Sequence, residues 1–198
     1  MNSPWLTSRQ LAIVAIFSAL WAASEVLIGT LLVMMNVPFR GAIMTSIALG
    51  ILVAVRKKVP KKGTAVAMAV VVAAIRLIMG GPKILTIAPA VVIEGTLIEA
   101  AFLLMPGEMA RLNPSRCIGA GILAVTYSFL HSILMVALLA GIKGQQFSVV
   151  IEYVGSFRFG LFSIWAALIL LISAHALLGA VAGIVSWRLT LRIEDTSR

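Results

Sequence analysis

Charge is scarce in this sequence. Of 198 residues only 12% are Asp, Glu, Lys or Arg, about half the share a soluble domain carries. A single cysteine, Cys117, excludes a disulfide within the chain and leaves the compartment unspecified. The two histidines, His131 and His175, stand far apart, and there is no HExxH and no cysteine pair, so no metal-ligand spacing is present. A GxSxG nucleophile turn and a Walker A loop are also missing. These absences speak against an enzyme with a catalytic constellation of its own and give no sign of a cofactor. If the chain takes part in ATP-driven work, the ATPase is another protein.

What the sequence has in abundance is hydrocarbon: 61% of residues are hydrophobic and the mean hydropathy is +1.09. An all-α, polytopic membrane protein follows, a single transmembrane helical domain over 1–198. Spans of about 20 apolar residues are expected at 11–35, 41–55, 64–79, 85–105, 117–140 and 161–187. Between them lie turn-forming residues: Pro38, Pro60, Gly80-Gly81-Pro82-Lys83 and Pro106-Gly107. The segment 141–160 is too mixed to span.

The net charge of +9 is compatible with nucleic acid, but its placement argues for a membrane instead. Arg56, Lys57, Lys58, Lys61 and Lys62 cluster between two apolar stretches, as in a cytoplasmic loop. With six spans, the N-terminus, the second and fourth loops and the C-terminal tail share one side. That side holds 11 Lys and Arg against four opposite (Arg40, Lys83, Lys143 and Arg158), which sets both termini in the cytoplasm. Trp187 beside Arg188 reads as an interfacial anchor.

Ionisable groups inside a span are expensive and mark function by default. They are Glu25, Arg76, Glu94, Glu99, His131 and His175. At a rise of ~1.5 Å per residue, Glu25, Arg76, Glu94 and His131 fall in the outer half of the membrane, and Glu99 and His175 toward the cytoplasmic half. The first four, with Tyr127 one turn before His131 and Trp165 near the outer end of the last span, form a candidate substrate-binding group. Carboxylates beside aromatic rings suit a flat, cationic or hydrogen-bonding heterocycle. Two structural alternatives stand beside this: an Arg76–Glu94 ion pair, and His131 and His175 as histidines that merely bond between helices.

The first span also carries a stripe of small residues, Ala15, Ala19 and Ala23, of the kind that lets another helix approach closely in lipid. The opening Ser8-Arg9-Gln10-Leu11-Ala12-Ile13-Val14-Ala15-Ile16-Phe17-Ser18-Ala19-Leu20, a polar-basic start running into an AxxxA helix, resembles the S components of energy-coupling factor (ECF) vitamin transporters. Length and span number match in outline. The resemblance implies a substrate-binding subunit in a bacterial or archaeal cytoplasmic membrane. Its partners would be a transmembrane coupling subunit, docked on the small-residue face of the first helix, and two ATPase subunits. Substrate would be enclosed by helices four to six and capped by outer loops, here near Pro38, Pro82 and 147–159. The metal-transporting branch carries an N-terminal histidine; Met1-Asn2-Ser3 lacks it, which disfavours metal uptake. Among vitamins, the carboxylates favour thiamin or its pyrimidine precursor over an acid such as biotin.

Three function classes thus stand: an ECF-type binding subunit, a stand-alone proton-coupled carrier, and a non-transport membrane subunit or intramembrane enzyme. The charge distribution carries its own test. A C-terminal green fluorescent protein fusion is expected to fluoresce and a C-terminal alkaline phosphatase fusion to be inactive; the opposite pattern reverses the orientation.

Overall fold

The computed structural model describes residues 5–79, 84–105, 112–142 and 164–195. The expected turn at 80–83, most of the polar loop after Leu104, the outer segment 147–159 and Met1-Asn2-Ser3 lie outside them. The described residues form six helices and no strand: α1 Ser8–Met34, α2 Arg40–Lys58, α3 Thr64–Met79, α4 Ile84–Leu104, α5 Pro114–Ile142 and α6 Ile164–Asp195. Of these, α1, α4, α5 and α6 are long and apolar enough to cross a membrane, whereas α3 is a shorter apolar helix. Large apolar side chains such as Leu27, Ile78, Leu104 and Leu134 are exposed on the outside of the bundle. The chain is a helical membrane protein.

Local chemistry sets the helix ends. Thr7 and Gln10 form a capping box at the start of α1, Thr7 Oγ1 accepting from Gln10 N and Gln10 Oε1 accepting from Thr7 N. α5 starts with Pro114, where a missing N–H costs nothing, and Asn113 Oδ1 accepts from Arg116 N at 2.9 Å. The connection from α1 to α2 turns through Asn36 and Phe39, both at positive φ. The α2–α3 connection uses Gly63 at φ 79°, a conformation glycine adopts without strain.

Several helix ends run past their expected limits, among them the C-terminal ends of α2 and α6. α2 continues to Lys58 because Arg56, Lys57 and Lys58 complement the negative end of its dipole. α6 continues to Asp195, so Trp187 and Arg188 lie within a helix, with Trp187 partly buried against the core.

Helix neighbours define a ring: α1 packs on α2 and α3, α3 on α4, α4 on α5, and α5 back on α2, while α6 lies against α5 and α2. The main core sits inside this ring, around Trp21, Leu49, Leu52, Met68, Val72, Ile98 and Phe102. Two features hold it. Arg56, assigned by its sequence position to an exposed cytoplasmic loop, is instead buried with Glu99 at 3% and 4% exposure. Its Nη1 donates to Glu99 Oε1 at 2.9 Å and to Lys61 O at 2.6 Å. Gly63 N and Ala65 N donate to the two oxygens of the same carboxylate. Glu99 of α4 thereby ties the end of α2 to the start of α3.

The second feature is backbone contact between α5 and α6. A Cβ at Gly121, Gly179 or Gly183 would run into the backbone of the facing helix. Gly179 and Gly183 form a GxxxG pair, the pattern that lets helices in lipid meet backbone to backbone. Gly183→Ala is therefore expected to destabilise the bundle by about 1–3 kcal/mol. Gly50→Ala, whose Cβ meets only Ser186 Oγ at 3.7 Å, should be near neutral. Thermal unfolding of the two variants in detergent checks both.

Candidate functional site

Five of the six candidate substrate-binding residues come together inside the ring. Glu25 (α1) lies within the electrostatic reach of Arg76 (α3), and Glu94 (α4) within that of Glu25. Tyr127 (α5) feels Glu94 in turn. His131 is bonded to Tyr127. The structure adds two residues. The Trp21 indole sits beside the Glu25 carboxyl, one turn away on the same face of α1. The Thr45 hydroxyl of α2 sits beside Glu94. Each of α1 to α5 thus contributes at least one polar side chain to one cluster. Among the described residues α6 contributes none, so this group is not enclosed by the fourth to sixth helices as the family resemblance implied.

The His131 ring fixes its own tautomer by geometry. Nε2 faces the Thr86 carbonyl at 3.2 Å and can only donate there. Nδ1, 3.1 Å from the Tyr127 hydroxyl, then accepts from it. The Thr86 carbonyl lies in the first turn of α4, near Pro89, whose missing N–H leaves the carbonyl of residue 85 without its helical donor. Both nitrogens of His131 are therefore engaged. Its role is to hold the Tyr127 hydroxyl, with the oxygen lone pairs left to accept from another group.

Three buried atoms of the cluster have no hydrogen-bond partner in the protein: Trp21 Nε1, Arg76 Nε and Glu94 Oε1. Trp21 is 0% and Glu94 8% exposed. Each unpartnered buried polar group costs about 1–3 kcal/mol; Ser18 Oγ, Arg56 Nη2 and Thr126 Oγ1 are the others among the described residues. Glu25 lies beside Arg76 and Glu94 beside Glu25, so two carboxyl groups and one guanidinium share the cluster. Arg76 and Glu94 form no ion pair; the ion pair between described residues is Arg56–Glu99.

Other residues fall elsewhere. Trp165, near the start of α6, is 73% exposed and outside the cluster. Glu99 belongs to the helix junction described above. His175, expected toward the cytoplasmic half, lies instead by the α1–α2 connection. Its ring stacks on Phe129 at 4.7 Å and meets Phe39 edge-on at 5.4 Å, while Nδ1 donates to Leu171 O at 2.8 Å. Ala15, Ala19 and Ala23 are all exposed, so the small-residue face of α1 is not used for packing within the chain. A cavity of about 250 Å³ adjoins the cluster on the other side of α5, lined by Arg40, Ser128, Ser132 and His175 among others.

Trp21 and Thr45 carry no charge, which is why a search for ionisable groups passes over them. The signal for Trp21 was its position four residues before Glu25, which puts both on one helix face.

No protein-family model, curated protein or solved structure matches the chain.

The unpartnered indole yields a stability test. Trp21→Phe removes a buried donor that has no acceptor in the protein, so the ligand-free melting temperature is expected to hold steady or rise. A large fall would mean that the indole N–H is bonded within the fold.

Proposed function

We propose that this protein is the substrate-binding membrane subunit of an ECF-type micronutrient importer, with six spans and both termini in the cytoplasm. Its substrate is a flat, cationic heterocycle of the thiamin or thiamin-pyrimidine kind. The observation that carries this reading is the cluster itself: Glu25, Glu94 and Arg76 beside the Trp21 and Tyr127 rings, with three polar atoms left without protein partners. A cationic ring system placed there pairs with the Glu25 and Glu94 carboxyl groups and donates to Glu94 Oε1 and the Tyr127 oxygen. The absence of any nucleotide-binding motif makes ATP hydrolysis the task of partner chains. The exposed face of Ala15, Ala19 and Ala23 supports docking of a transmembrane coupling subunit.

The closeness of Glu25 and Glu94 favours one second reading, a stand-alone proton-coupled carrier, because paired carboxylates can exchange a proton with a cationic cargo.

Denaturing mass spectrometry of the purified protein separates these. A near-stoichiometric cationic heterocycle is expected, bound at least tenfold more weakly by Glu94→Gln and by Trp21→Phe. A bound carboxylic acid, with no affinity for thiamin-like compounds, would overturn the substrate assignment. An empty protein that drives pH-dependent uptake without ATPase subunits, lost in Glu25→Gln, would decide for the carrier.

A further inference from the structure

On the outside of the ring a long groove runs between α2 and α6, with a volume of about 560 Å³. Its floor on α2 is made of Ala42, Ser46 and Gly50, one small residue per turn. Leu178, Ala182 and Leu189 are among the residues of its α6 wall. The floor makes no polar demand, since Ser46 Oγ donates to Ala42 O at 2.7 Å within its own helix. On α6 the groove runs from Leu178 to Leu189, next to the Lys57–Thr190 contact, roughly 16 Å at the helical rise. One leaflet of a ~30 Å hydrocarbon core is about 15 Å deep, so this wall has the length of one acyl chain.

Charge says what occupies it. Helical periodicity carries the two walls directly into cations. The α2 face that presents Ile43, Ile47 and Ile51 reaches Lys58 two turns later, and the α6 face that presents Val185 and Leu189 reaches Arg192 on the next turn. Lys57 Nζ donates to Thr190 O at 3.1 Å and closes α2 against α6 at this end. Lys58, Arg188 and Arg192 are exposed, and Lys61 and Lys62 stand exposed in the adjoining connection. The opposite end of the groove closes on the ring of Phe39.

We propose that the α2–α6 groove is a binding site for an anionic phospholipid. One acyl chain lies along Ser46 and Gly50, and the headgroup phosphate rests on Lys58 and Arg192. The site is separate from the polar cluster, which lies on the ring side of α2. A bound chain there fills the seam that α6 makes with α2, so the lipid joins the sixth helix to the other five.

Gly50 makes the test clean, because a side chain there meets only Ser186 Oγ, at ordinary contact distance, before it enters the groove. The full-length protein is purified in detergent, delipidated, and titrated with phosphatidylglycerol or phosphatidylcholine under native mass spectrometry. One phosphatidylglycerol per chain is expected to be retained, preferred over phosphatidylcholine by about tenfold or more, given two or more cations at the headgroup. Gly50→Leu fills the groove and is expected to lose retention of both lipids. Lys58→Gln with Arg192→Gln is expected to keep the chain site but bring the two lipids to within about threefold of each other. Unfolding temperatures within a few degrees of the parent in a fixed detergent certify the variants; Ser46→Leu replaces Gly50→Leu if the latter fails this. Equal retention of both lipids by the parent protein overturns the proposal, as does unchanged retention when the groove is filled. A cross-link from Ile47→Cys to another protein chain in native membranes, at near-complete yield, would overturn it in favour of a helix as occupant.

Discussion

A hydrocarbon surround offers no water to an unpaired polar atom, so each charged side chain in this bundle has to be answered by the protein. Glu99 meets that constraint most completely. Its carboxylate accepts from Arg56, from Gly63 N and from Ala65 N, and so joins the last turn of α2, the α2–α3 connection and the start of α3 to the middle of α4. Breaking one partner of a buried pair of this kind leaves an uncompensated charge, at a cost of about 3–5 kcal/mol. With α2, α3 and α4 tied there, α1 and α5 complete the ring, and its interior is where the remaining polar groups collect.

Glu94 stands on the same helix as Glu99, five positions earlier, and is treated in the opposite way. Glu99 is saturated with donors, whereas Glu94 keeps Oε1 without one and lies beside Glu25. The same chain therefore shows how it satisfies a buried carboxylate when stability is the purpose. The contrast is what supports the proposal that Glu94 is a binding group. His131 illustrates a third arrangement, with both ring nitrogens engaged so that the Tyr127 hydroxyl is held in place.

The sixth helix is attached by a different physics. Gly121, Gly179 and Gly183 let α5 and α6 approach to backbone contact, which in lipid supplies dispersion in place of a hydrophobic driving force. Along α2 the fit of α6 is looser, and a groove lined by small residues remains. Attachment is thus tight on one side and open on the other, with cations gathered at one end of the open seam.

Much was legible in the sequence. The six helices lie close to the apolar runs, because hydrocarbon length and Pro or Gly breaks are local properties that no packing detail overrides. Glu25, Arg76, Glu94, Tyr127 and His131 were identifiable because ionisable or polar groups inside apolar runs are too expensive to be incidental. Tertiary structure alone decided their roles. Arg56 looked like a loop cation and proved to be a buried partner of Glu99, since the pairing spans two helices far apart in the chain. Trp165 proved to face outward and His175 to pack on Phe129, because depth along a helix says nothing about its rotation. Composition determined that this chain lives in lipid, through the sum of many transfer free energies. Which carboxylate is satisfied and which is kept waiting depended on the mutual rotation of five helices, a quantity no single segment carries.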